Sequence, residues 1–125
     1  FETVQQQCSH LGISDVVIMV GSKTNTEDYY QAMDVFVFPS LWEGLGIVAI
    51  EAQANGLTCL VSENVPGEVL LSGTIQKYPL EFPKRWLTAL ENCPHVNRNA
   101  PLSQKIQEYD IHKIGKRMEK FYMEA

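Results

Sequence analysis

Residues 43–51 read Glu-Gly-Leu-Gly-Ile-Val-Ala-Ile-Glu, two carboxylates set around a pair of glycines. Gly44 and Gly46 let a bulky anion come close to the backbone, because neither carries a Cβ. Glu43 and Glu51 are acceptor groups suited to vicinal hydroxyls. A ligand with a phosphate centre and hydroxyl-rich groups on both sides would use all four. A sugar nucleotide has that shape.

Such residues need elements that hold them together. Asp34 to Ser40 (Asp-Val-Phe-Val-Phe-Pro-Ser) reads as a short β-branched and aromatic strand stopped by Pro39. Ile47 to Ala54, with apolar residues at 47, 50 and 54 and Asn55-Gly56 behind it, reads as a helix. Strand, glycine turn and helix in that order aim the helix's unpaired amides and positive dipole end at the crevice beyond the strand. Glu51, roughly five or six residues in at a rise of about 1.5 Å each, should lie about 8 to 9 Å from that amide end.

A plainer reading competes. Ser40 and Glu43 match a Ser-x-x-Glu capping box, which would make Glu43 a helix cap. That helix would carry two glycines in its first turn, at about 1 kcal/mol each relative to alanine, so a later start is expected. With eleven glutamates in the chain, about one pair at this spacing arises by chance, and the glycines and the flanking strand supply the specificity.

The run Phe36-Val-Phe-Pro-Ser-Leu-Trp-Glu-Gly-Leu-Gly-Ile-Val-Ala-Ile-Glu-Ala-Gln-Ala-Asn-Gly56 resembles the glutamate-x7-glutamate signature of retaining glycosyltransferases built from two Rossmann domains, a family that includes bacterial capsular and exopolysaccharide enzymes. Leu11 to Gly21 resembles the strand before that signature, and Gly56 to Ser62 with Pro66-Gly-Glu68 the strand and loop after it. The resemblance covers about the first seventy residues. It implies that Glu51 binds the donor nucleotide's ribose, that Glu43 lies near the donor sugar as the catalytic candidate, and that amides near Gly44, Leu45 and Gly46 meet the pyrophosphate. By the same resemblance Gly21, Ser22 and Lys23 come close to the base, the alternative being an ordinary surface turn. Glu68 is a further donor contact, or a solvated acid.

Composition narrows the class. A chain of 125 residues with 45% hydrophobic content and net charge −5 is an ordinary globular unit, and its acidity argues against a nucleic-acid partner. Cys8, Cys59 and Cys93 have no metal or redox spacing and read as reduced cytosolic thiols. His10, His95 and His112 are scattered, so no metal and no cofactor are expected. No apolar run has the length of a membrane span. The chain starts at Phe1 inside what reads as an amphipathic helix, so it is expected to be a piece of something longer.

In chain order, Phe1 to His10 should be that helix, with Gly12 just past its end. Val16 to Val20 should be a strand buried on both faces. A polar loop from Gly21 to Asn25 and a short helix from Thr26 through Met33 follow, with Tyr29 facing the core and Tyr30 the surface. After the signature come strands at Thr58–Val61 and Thr74–Tyr78 and a helix from Pro83 toward Asn92. Leu102 to Tyr109 is a plausible helix, and Asp110 can cap a last one with Ile111, Ile114, Met118 and Phe121 on one face and Lys113, Lys116, Arg117 and Lys120 on the other. That basic amphipathic pattern fits either a packed terminal helix, which is preferred, or contact with an anionic membrane surface. Trp42 is expected to pack its loop down, the alternative being stacking on a sugar.

The expected fold is thus α/β, a Rossmann-like open parallel sheet flanked by helices, forming the partial second domain of a two-Rossmann-domain glycosyltransferase. Residues 1–109 would be an incomplete donor-binding domain and 110–125 a C-terminal amphipathic helix. By resemblance, the whole protein would move a sugar, with retention, from a nucleotide-diphosphate donor to a carbohydrate or lipid-linked acceptor. The pathway would be surface polysaccharide synthesis, in the cytoplasm or at the inner face of the membrane, with an amino-terminal domain as partner. A non-catalytic nucleotide-binding or structural domain of the same fold is the alternative. Lys23 and Lys77 are the only basic residues in the first eighty positions, so this chain alone is expected to bind donor poorly and not to catalyse transfer.

Overall fold

The computed structural model describes residues 2–94, 98–99 and 101–124. Three strands, β1 (Val35–Phe38), β2 (Thr58–Ser62) and β3 (Ile75–Tyr78), form a parallel sheet in the order β1-β2-β3. Val35 pairs with Thr58 and Phe38 with Val61, while Cys59 pairs with Ile75 and Ser62 with Tyr78. Every residue of β2 is buried. A central strand covered on both faces loses its polar alternation for this reason.

The helices are α1 (Glu2–His10), α2 (Thr26–Ala32), α3 (Ile47–Ala54), α4 (Pro83–Glu91), α5 (Gln104–Gln107) and α6 (Ile111–Met123). Cys59, Val61 and Ile75 from the sheet join Ala49, Ile50 and Ala52 of α3 in one core, with Tyr30 of α2 and Ile106 of α5 at its edges. α4 covers the other face: its Trp86 lies 5.6 Å from the Tyr78 ring and donates to the Pro79 carbonyl at 2.9 Å. The arrangement is therefore an open, Rossmann-like α/β sheet flanked by helices, as the sequence pattern implies.

Local chemistry explains most element ends. Pro83 occupies the first turn of α4, where its missing N–H is not needed. Asp110 caps α6 by accepting from the His112 amide at 2.8 Å, and Ser103 caps α5 by accepting from the Ile106 amide at 3.2 Å. α3 stops at Asn55, and Gly56 follows with φ of +75°.

One buried side chain joins these pieces. Gln53 of α3 is 2% exposed, and its Nε2 donates to the carbonyls of Ala49 and Val69, both at 2.8 Å. Its Oε1 accepts from the amides of Leu71 and Ser72 and from the Ser72 hydroxyl, at 3.2, 3.1 and 2.9 Å. The irregular crossover from β2 to β3 thereby finds partners for backbone groups that no ladder would satisfy.

Four expectations fail. Val16 to Val20 forms no strand: it joins none of the three strands, and Val16 and Ile18 are 72% and 84% exposed. An apolar run favours burial but becomes a strand only where a neighbour pairs with its backbone, and β1 pairs with β2 alone. Tyr30, expected at the surface, is the buried one, because the turn of α2 carries it inward (6% exposed) against Phe36, while Tyr29, expected in the core, is only half-buried. The helix expected over Leu102 to Tyr109 is the single turn of α5.

Lastly, α6 is amphipathic but unpacked. None of its residues is buried, and Ile111 and Phe121 are 72% and 69% exposed. Arg117 ties it to the preceding turn through the Glu108 carboxylate at 3.0 Å and the Glu108 carbonyl at 3.2 Å, and of its apolar stripe only Ile114 is half-buried. Phe1 and His95 lie outside the described residues.

Replacing Gln53 by leucine leaves the Ser72 amide without a partner and reduces the Val69 carbonyl and the Leu71 amide to their bond with each other at 2.9 Å, which should cost about 1 to 3 kcal/mol, read as a lower urea midpoint.

Burial pushes the Cys59 thiol from its ordinary 9.0 up to about 12, with the neighbouring Cys93 adding to it. The unfolded chain then gives up that proton first. The contribution is complete below about pH 9 and disappears as pH rises through about 12. Stability measured over that range should fall, and fall less steeply in Cys59→Ala.

Candidate functional site

The loop from Pro39 to Gly46 leaves the carboxyl end of β1, and the loop from Glu63 to Pro66 leaves that of β2. They are tied side by side. Ser62 Oγ donates to the Ser40 carbonyl at 2.5 Å, and Asn64 Nδ2 donates to the Leu41 carbonyl at 2.9 Å. Lys77, from β3, braces the second loop by donating to the Val65 carbonyl at 2.5 Å.

Gly46 begins α3 with φ of +81°. A Cβ there would stand 3.5 Å from a Val65 methyl and 3.7 Å from the Phe38 ring, ordinary contacts, so the left-handed backbone and not lack of space demands glycine. The Ala49 amide closes onto the Gly46 carbonyl at 2.9 Å. The helix therefore starts late, and Ser40 and Glu43 do not form a capping box. Instead the Ser40 hydroxyl donates directly to Glu43 Oε1 at 2.8 Å. That bond holds the half-buried Glu43 carboxylate in the loop.

Glu51 stands exposed on α3, its Oε2 accepting from the Tyr30 hydroxyl at 2.9 Å. Burial, reinforced by the bond to Glu51, raises the phenol's pKa well above its ordinary value, so Tyr30 acts as a donor and not as a charge. The two carboxylates thus have unlike supports, a serine in the same loop and a tyrosine from a different helix.

Of the residues singled out in the sequence, Glu43, Gly44, Leu45 and Gly46 lie on the β1–α3 connection, and Glu51 lies on α3, the helix that this connection leads into. Glu68 is exposed on one turn of 3₁₀ helix, Gly67–Val69, whose Val69 side chain lies near Gly46. Gly21, Ser22 and Lys23 are exposed ahead of α2, and among the described residues no hydrogen bond joins them to these loops.

Trp42 does not pack its loop down. It is 81% exposed, with only its carbonyl engaged, by Ser40. Sequence reasoning missed Tyr30, because a partner 21 residues upstream follows no local spacing rule. Among the described residues no group of three or more His, Cys, Asp or Glu is placed to hold a metal ion. A separate cavity of about 560 Å³ lies between α4 and the sheet, lined by Thr58, Gln76, Tyr78, Lys84 and Arg85 among others, and includes neither Glu43 nor Glu51.

Comparison with known proteins follows this geometry. The family model described as glycosyl transferases group 1 matches residues 1–71. The chain is 35% identical over 60 residues (48% of this chain, 17% of the relative) to a lipopolysaccharide core biosynthesis mannosyltransferase of Rhizobium meliloti. It is 30% identical over 128 residues (98% and 29%) to the alpha-monoglucosyldiacylglycerol synthase of Streptococcus pneumoniae. To the Escherichia coli UDP-Gal:alpha-D-GlcNAc-diphosphoundecaprenol alpha-1,3-galactosyltransferase it is 43% identical over 51 residues (41% and 13%). The chain spans less than a third of the length of these relatives. No solved structure matches it significantly.

Gly46→Ala should cost about 1 to 2 kcal/mol through its left-handed backbone, whereas Gly44→Ala, with open space around the added Cβ, should leave the denaturation midpoint near that of the parent.

Proposed function

The chain belongs to the group 1 glycosyl transferases, and on that premise we propose that it is the donor-binding part of a retaining glycosyltransferase with two Rossmann domains. Residues 1–109 would form the incomplete donor domain and 110–125 its terminal helix, with an amino-terminal domain elsewhere in the same protein carrying most of the acceptor site.

The supporting observation is the strand–turn–helix unit that carries Glu43, Gly44, Leu45 and Gly46 on the connection leaving the carboxyl end of β1 and Glu51 on the following α3, since open parallel sheets bind ligands at that end. Glu51 would accept from the ribose hydroxyls. The amides of Leu45 and Gly46, at the positive end of α3, would face the pyrophosphate. Glu43 would lie by the donor sugar, with Glu68 and the 21–23 turn nearer the nucleotide.

During transfer the bond from the anomeric carbon to the phosphate oxygen breaks, and the diphosphate leaves with the electron pair. The acceptor oxygen bonds to that carbon on the same face and loses its proton to the departing phosphate. Amides fixed around the diphosphate stabilise the charge it gains, and no metal is invoked.

The relatives acting in lipopolysaccharide core synthesis and on a diphosphoundecaprenol acceptor support a carbohydrate or lipid-linked acceptor and a role in surface polysaccharide formation, capsule or exopolysaccharide. That points to the cytoplasm or the inner membrane face. No described helix is long and apolar enough to cross a membrane, and α6, with its exposed apolar stripe and four basic residues, would suit peripheral contact.

One observation favours the second reading, a non-catalytic domain of the same fold. Glu43, Glu51, Glu63 and Glu68 share these loops and α3, while the ammonium of Lys77 is engaged by the Val65 carbonyl.

NMR titration with UDP, GDP and ADP separates the readings. Saturable shifts with one nucleotide, weakened in Glu51→Ala, are expected. If this chain gives none, the same titration of the intact protein decides, and silence there removes the glycosyltransferase reading. Inverted product stereochemistry by NMR would remove retention alone.

A further inference from the structure

Glu51 is held by a group that the signature itself does not contain. Tyr30 is 6% exposed, its ring set edge-on to Phe36 at 5.9 Å. Its carbonyl accepts from Arg98 Nη1 at 3.1 Å, and the other terminal nitrogen of Arg98 donates to the Met33 carbonyl. Ring and backbone are thus both fixed before the hydroxyl reaches Glu51.

Glu51 by contrast is exposed. A free glutamate there would sample several staggered rotamers, and ordering it on ligand binding would carry an entropic cost. The Tyr30 bond to Oε2 settles that choice in advance. Among the described side chains none donates to Oε1.

We propose that Tyr30 is a positioning residue: its hydroxyl fixes the Glu51 carboxylate so that the remaining acceptor sites are preset for the vicinal hydroxyls of a nucleotide's ribose. The proposal rests on the donor-site reading. The competing explanation reverses the dependence, with Glu51 serving only to satisfy a buried phenol. The two differ in one respect: positioning acts on the hydroxyls of the ligand, whereas phenol satisfaction acts on the fold.

The experiment uses the intact protein and four forms of it, the parent, Tyr30→Phe, Glu51→Ala and the double variant. Each is titrated with UDP, GDP and ADP and with their dideoxyribose counterparts. Tyr30→Phe keeps the ring against Phe36 and leaves no polar group unpaired. It should lose about 3- to 10-fold in affinity for the preferred ribonucleotide, with the dideoxy form unchanged and no added loss beside Glu51→Ala. In turnover, the donor KM should rise with kcat near that of the parent.

If Glu51→Ala binds as the parent does, or no nucleotide binds, the donor-site reading fails and this inference with it. If Glu51→Ala weakens binding but Tyr30→Phe does not, or weakens ribo and dideoxy forms alike, the site stands and the positioning role is overturned. A fluorotyrosine at position 30 gives a second readout without removing the hydroxyl. Its fluorine resonance should move on saturation with the ribonucleotide and not with the dideoxy form, and an unmoved resonance also overturns the proposal.

Discussion

The buried amide of Gln53 is the constraint on which the rest of this structure depends. A parallel sheet obliges the chain to cross from the end of one strand to the start of the next, and between β2 and β3 it does so largely without a regular helix. Backbone groups on such a path need partners. One glutamine on α3 supplies donors and an acceptor to Val69, Leu71 and Ser72 together. This fixes the crossover against α3, and with it Val65 and Val69, the two valines that close around Gly46.

The same linkage sets the geometry of the acidic loops. Glu43 is held by Ser40, whose carbonyl is in turn held by Ser62 at the end of the central strand. Glu51 is held through α2. Two carboxylates on one strand–turn–helix unit are thereby referred to two different parts of the framework, the sheet in one case and a neighbouring helix in the other. A ligand spanning them would sense a shift of either part.

How much of this the sequence disclosed follows from the range of each interaction. Ile47–Ala54 was readable because its period, its Asn55-Gly56 stop and the glycines ahead of it are all local. The late helix start followed from the cost of glycine in a first turn, and the Asp110 and Pro83 positions from capping rules. The strand expected at Val16 to Val20 failed because apolar content reports a wish for burial and says nothing about a pairing partner. Tyr30 rather than Tyr29 is the buried one because one residue's rotation in a seven-residue helix is decided by Phe36, not by the helix. Trp42 and α6 failed in the same way: their apolar side chains are largely exposed, Trp42 at 81% and Phe121 at 69%, although apolar content alone favours burial. The placement of the acidic pair was legible, and the residues that steady it were not, since Tyr30 and Gln53 act across folds of the chain.

The sheet ends abruptly at β1. This strand is paired on one edge only, and Val37 on it is 41% exposed, close in chain order to the bare apolar run before it. Unpaired strand edges invite other strands, and among the described residues no strand pairs with the outer edge of β1. That edge is the place where a further strand would extend the sheet wherever one is supplied.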